Sequence, residues 1–108
     1  MQCSIEITPQ QMADLMITCC EGGTNYWAEW IEITSGGLYS DPKTWEKPDW
    51  SIDVVHDDGE QAIVTPASFA KLTIHGKQAL MRLIEGDFDA TDADVILQEL
   101  CFGELIYG

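Results

Sequence analysis

The sequence predicts an α+β domain: a small, mostly antiparallel β-sheet packed against about four helices, in the order β-α-β-β-β-α-α-α-β. Three observations carry that prediction. Thr-Pro occurs twice, at Thr8-Pro9 and Thr65-Pro66, and each pairs an N-cap hydroxyl with a proline suited to the first helical position. The stretch WSIDVVHDDGEQAIVT alternates apolar and polar side chains ahead of Asp58-Gly59, a two-residue turn that tolerates positive φ. The last quarter, Gly86 to Gly108, runs from an acidic turn through an amphipathic helix to a glycine stop. With 108 residues and 45% apolar side chains, positions 1–108 read as one domain able to bury its own core.

Residues 3–7 (CSIEI) read as a short opening strand. A helix over Pro9 to Glu21 follows, because Met12, Leu15, Met16 and Cys19 fall at i, i+3, i+4 and i+7. Gly22-Gly23 stops it. β-Branched and aromatic residues from Tyr26 to Thr34 predict a strand, although the adjacent apolar pair Trp30-Ile31 breaks its alternation. Residues 35–49 hold two prolines and two glycines and read as a long loop flanked by Trp45 and Trp50. The hairpin comes next, Trp50 to Asp57 and Glu60 to Val64. Gly76 predicts a break between two helices, about 66–74 and 77–85. The last helix is predicted to begin at Thr91, in a capping box with Asp94, and to bury Ala93, Ile96, Leu97, Leu100 and Cys101. Leu105 to Tyr107 would form a closing strand.

The charge is the strongest global signal. Nineteen acidic and five basic side chains give a net charge of -14. Five cations cannot supply the phosphate contacts of a nucleic-acid binder, so direct nucleic-acid binding is excluded. Acidic lipid surfaces would also repel the chain. The opening residues show no basic or apolar leader pattern, and no 18-residue apolar run occurs. The expectation is a protein resident in the cytoplasm with no membrane span. Cys3, Cys19, Cys20 and Cys101 lack paired metal-ligand spacing and read as reduced, hydrophobe-like residues, so neither a metal nor a cofactor is expected.

The acidic residues group in two places. Asp87, Asp89, Asp92 and Asp94 resemble a cation loop, but position 6 is Asp92 rather than glycine and position 12 is Gln98 rather than Glu, so an EF-hand does not fit. Asp92 and Asp94 suit a helix N-terminus, where the dipole favours anions. Asp57, Asp58 and Glu60 form the second group, at the hairpin tip. His56 beside Asp57 and Asp58 offers acid–base chemistry in principle, yet turn-forming aspartates are the simpler reading. No GxSxG, HExxH, P-loop or GxGxxG motif is present, and no catalytic residues are assigned. Asn25-Tyr26-Trp27, after a glycine turn, has the composition of a pocket wall with a polar anchor and two stacking faces.

EGGTNYW, DATDADVILQ and FGELIYG together resemble a family of small acidic phage and prophage proteins that share EGG-x-x-YW, D-A-T-x-A-D-V and FGE-x-x-YG segments. The likeness covers both ends of the chain; residues 35–85 depart from it. It implies a phage or prophage origin and brings no catalytic residues with it. Small acidic phage proteins include inhibitors of host defence. A compact domain of this length spans roughly 30 Å. A duplex of that length carries on the order of 18 phosphates, comparable to the net charge here. The leading expectation is therefore a non-enzymatic, DNA-mimic-like inhibitor of anti-CRISPR or anti-restriction type. Its partner would be the basic, nucleic-acid-binding surface of a bacterial defence complex, met by Asp87, Asp89, Asp92 and Asp94 first and Asp57, Asp58 and Glu60 second. The alternatives are a sponge for a small signalling molecule, held by Asn25, Tyr26 and Trp27, or a phage accessory protein. A surface that is merely solvated would explain the charge equally well.

Overall fold

A computed structural model describes residues 7–56 and 59–107. The predicted strand at 3–7 lies outside the described residues except for Ile7, which is not in a strand, and Cys3, Asp57 and Asp58 also lie outside them. The fold is α+β. Helix α1 (Pro9–Thr18) runs through a π turn (Cys19–Gly23) to strand β1 (Ala28–Ile33); a 3-10 turn (Pro42–Trp45) precedes strands β2 (Ile52–His56) and β3 (Glu60–Val64), and a second 3-10 turn (Pro66–Lys71) leads to helices α2 (Ile74–Glu85) and α3 (Ala90–Phe102). The strands form one antiparallel sheet in the order β1-β2-β3. The body measures 40 × 29 × 26 Å.

Local chemistry sets the start of α1 as the sequence predicts. Thr8 Oγ1 accepts from Gln11 N at 3.1 Å, Gln11 Oε1 accepts from Thr8 N at 2.8 Å, and Pro9 occupies the first helical position. Met12, Leu15, Met16 and Cys19 are all buried. The α-helix ends earlier than predicted, at Thr18, and widens into the π turn, which Gly22 leaves at a φ of 140°.

One sheet face is covered and the other is open. Ile52, Val54 and His56 point inward from β2, with Val64 of β3 beside them, and α3 packs across the core. The predicted stripe of α3, Ala93, Ile96, Leu97, Leu100 and Cys101, is buried. Gln98 and Glu99 are buried too, at 0% and 1% exposure, so α3 is wrapped on nearly every side. Across the open face the pairing register sets Trp30 opposite Val55 and Val55 opposite Gln61, then Glu32 opposite Asp53 and Asp53 opposite Ile63. The pairing register shifts between Ala28 and Trp30, leaving Glu29 out of the ladder. Strand alternation accounts for the adjacent apolar pair Trp30-Ile31: Ile31 packs against the core and Trp30 faces solvent.

Three local predictions are overturned. Gly76 breaks no helix; it sits in the first turn of α2, and the chain kinks earlier, at Leu72-Thr73. The N-cap of α3 is Asp89, not Thr91: Asp89 Oδ1 accepts from Asp92 N at 3.0 Å and Asp92 Oδ2 accepts from Asp89 N at 3.2 Å. Leu105 to Tyr107 form no strand. A side chain takes the place of a neighbouring strand there, because Gln98 Oε1 accepts from Ile106 N at 3.0 Å and from Tyr107 N at 2.9 Å.

The long loop is held from inside. Trp45 and Trp50 are buried and meet edge to face at 5.3 Å, and Trp45 Nε1 donates to Tyr39 O at 3.0 Å. Both are core anchors, which leaves Trp30 as the tryptophan on the surface, 63% exposed.

Candidate functional site

The acidic turn before α3 divides into spent and free carboxylates. Asp92 is buried, and its Oδ1 accepts from Arg82 Nε at 2.8 Å and pairs with the Arg82 terminal nitrogen at 2.7 Å. That hydrogen bond raises the Arg82 pKa further above its ordinary value. Asp94 accepts from Trp27 Nε1 at 2.6 Å, from Gln98 Nε2 at 3.1 Å and from the Tyr26 hydroxyl. Asp89 caps α3 yet stays exposed, and Asp87 is exposed. Of the four aspartates expected to meet a partner, the structure therefore leaves Asp87 and Asp89 at the surface and commits Asp92 and Asp94 to internal contacts. From the hairpin group, Glu60 is exposed at the start of β3.

Asp94 belongs to a junction that joins three distant parts of the chain. Gln98 Nε2 also donates to Tyr107 O at 3.1 Å and lies 3.2 Å from the Tyr26 hydroxyl. The Tyr107 ring stacks on Trp27 at 5.4 Å and 8°, and His56 Nδ1 lies 3.2 Å from the Tyr107 hydroxyl. His56 meets Phe102 edge to face at 4.7 Å. The three segments quoted for the phage-protein resemblance thus meet one another through Tyr26, Trp27, Asp94, Gln98 and Tyr107. Their contacts close the domain, which is a structural role for that pattern.

The Tyr26 ring is exposed, but its hydroxyl is tucked against Asp94 and Gln98. Burial of that hydroxyl, then the hydrogen bond and negative charge of Asp94, push its pKa up to about 12. Because the folded value lies above the ordinary 10.0, the stabilisation is complete below pH 10 and is lost as pH rises through about 12. Absorbance titration should show a late phenol near pH 12, moved downward in Asp94→Asn. An unchanged titration in that variant would show that Asp94 does not govern Tyr26.

Of the three residues expected to hold a small molecule, Asn25 and Tyr26 are exposed and Trp27 is buried. Trp27 is in the core at 3% exposure, and Tyr26 is occupied by Asp94. Two open hollows lie instead along β1. One, of about 330 Å³, is bordered by Cys20, Ile31, Ile33, Leu38 and Tyr39; the other, of about 230 Å³, reaches Asn25 and Glu29. Neither is lined by Tyr26 or Trp27. Cys19, Cys20 and Cys101 are poor nucleophiles: burial raises Cys20 to about 11, Cys101 to about 12, and Cys19 well above its usual value. Among the described residues no three His, Cys, Asp or Glu side chains converge as metal ligands.

Charge is segregated along the fold. Lys71, Lys77 and Arg82, three of the five basic side chains, lie between Pro66 and Ile84, a stretch with no acidic residue. Elsewhere two lysines stand against all nineteen carboxylates. Exposed carboxylates line β1 (Glu29, Glu32), the loop (Asp49), the start of β3 (Glu60) and the corner between α2 and α3 (Glu85, Asp87, Asp89). The sequence reading passed over Glu29, Glu32 and Asp53, although alternation within each strand places Glu32 and Asp53 on outer faces. No helix of the described residues is long and apolar enough to cross a membrane. No protein-family model, curated protein or solved structure matches the chain.

Proposed function

We propose that this protein acts by binding, presenting its anionic surface to the cationic, nucleic-acid-gripping surface of a host defence complex as an inhibitor of anti-CRISPR or anti-restriction type. The observation that carries the reading is the segregation of charge. Three of the five basic side chains lie around α2 and the other two, Lys43 and Lys47, in the loop, so the exposed carboxylates of β1 and of the start of β3 stand without a basic residue in their own strands, and the α2–α3 corner sets Glu85, Asp87 and Asp89 against Arg82 alone. The long axis of 40 Å matches a duplex stretch of roughly 24 phosphates. A protein gripping one side of that duplex faces about half of them, the same order as the net charge of -14. Such a field accelerates encounter with a basic surface and makes the complex salt-sensitive. The sponge reading has less support, since neither hollow along β1 is lined by Tyr26 or Trp27.

Immobilised protein is expected to retain a nucleic-acid-handling complex from bacterial lysate at low salt. Competing duplex DNA or high salt should release it. Retention of no such complex, or retention indifferent to competing duplex, overturns the reading.

A further inference from the structure

The open face of the sheet has an arrangement that the general charge does not explain. Glu32 and Asp53 stand directly opposite each other on paired strands. Opposed residues bring their Cβ atoms to about 5 Å, and like charges there destabilise a sheet. Asp53 is also underused as an acceptor. Its Oδ2 takes a long bond from Gln61 Nε2 at 3.3 Å, and its Oδ1, shielded from water, takes none. An ionised carboxylate has about four acceptor sites. Trp30 and Ile63 flank the pair, 63% and 61% exposed, and among the described residues no helix covers this face. Glu29, exposed and left out of the ladder by the register shift, adds a third carboxylate next to Trp30 in sequence.

We propose that this sheet face is a docking site for a protein surface that presents arginine. The occupant follows from complementarity of charge and shape. A guanidinium is planar, carries five donors and matches carboxylates in a forked geometry, and it stacks on aromatic faces. One guanidinium beside Glu32 and the outer oxygen of Asp53, Oδ2, offsets their repulsion and gives that oxygen a second donor. A second, or the stem of the first, lies on Trp30. Ile63 and Val55 provide the apolar floor on which an arginine stem rests. A lysine ammonium delivers the charge without the fork or the stacking plane. The proposal rests on the anionic-surface reading and names the face where its cationic partner is held.

The probes are fluorescently labelled nona-arginine and nona-lysine peptides, with binding read by anisotropy near physiological salt. The full chain is compared with Glu32→Gln/Asp53→Asn and with Glu46→Gln/Glu104→Gln, which removes equal charge from exposed positions elsewhere. The face variant is expected to weaken nona-arginine binding about tenfold, and the control variant about twofold. Trp30→Leu should reduce the preference for arginine over lysine. Asp53→Asn should raise the melting temperature while weakening binding, since it relieves repulsion that a partner would otherwise relieve. Equal weakening in the two double variants overturns the docking face and leaves the general field in place. No binding of nona-arginine by the unsubstituted protein overturns both. Loss of binding confined to the face variant, together with a lysate capture that yields no nucleic-acid-handling complex, sustains the arginine site and overturns the inhibitor reading.

Discussion

Gln98→Leu is expected to lower stability by about 3 kcal/mol and the melting temperature by on the order of 10 °C, while freeing the C-terminal segment. The side chain is fully buried, and its amide serves Ile106 N, Tyr107 N, Tyr107 O and Asp94. Leucine preserves the volume and removes both the acceptor and the donor. The half-buried backbone groups of 106 and 107 then either stay in place without partners, at up to about 1–3 kcal/mol each, or leave for water. Departure is the lower-cost route. It gives up the Trp27–Tyr107 stack, worth about 1 kcal/mol beyond burial, together with the hydrogen bonds. The signature is a loss of near-ultraviolet dichroism from Trp27 and rapid amide exchange at Ile106 and Tyr107. Retained protection at both amides in a variant with a lowered melting temperature would show that the segment is held by its ring alone.

The second large effect is expected at Gly76. Gly76→Ala should destabilise the fold by about 2 kcal/mol, measured by chemical denaturation, although alanine is the better helix former by about 1 kcal/mol. A Cβ at this position would lie 2.2 Å from Glu99 Oε1 and 2.9 Å from Leu72 Cδ2. Glu99 has little freedom to retreat. It accepts from Thr73 N at 2.6 Å and from Thr73 Oγ1 at 2.7 Å, capping α2 from a neighbouring helix, and it is 1% exposed. Steric conflict with a clamped carboxylate outweighs propensity. The double variant Gly76→Ala/Glu99→Ala relieves the clash, so its loss should be smaller than the sum of the single losses. Additive losses would place the cost elsewhere.

These two positions mark the limit of what the chain discloses. Gly76 reads as a helix breaker because glycine usually is one; its purpose is a close approach by Glu99, 23 positions away in sequence. Gln98 and Glu99 fall outside the apolar stripe that the sequence predicts for α3. Their burial depends on which segments close over α3, and no periodicity carries that. The start of α3 shows the same limit at short range. Asp89 with Asp92 and Thr91 with Asp94 are both plausible capping pairs by composition. The choice falls to Asp89 because Arg82 binds Asp92 and Trp27 binds Asp94. The site followed this pattern: Asp87 and Glu60 are exposed as the sequence suggests, while Asp92 and Asp94 were taken up by side chains from other elements.

The acidic stretch from Asp87 to Asp94 was therefore informative in charge and misleading in detail. By itself the sequence determined the α+β class, the capped start of α1, the β2–β3 hairpin, the buried stripe of α3 and the net negative field. Each of these depends on side chains a few positions apart or on composition alone. Only the tertiary structure decided which carboxylates remain free, that Trp30 rather than Trp45 or Trp50 reaches the surface, and that Glu32 and Asp53 stand side by side on an uncovered sheet. Those outcomes are set by strand register and by helix packing, which bring together residues that no local pattern connects.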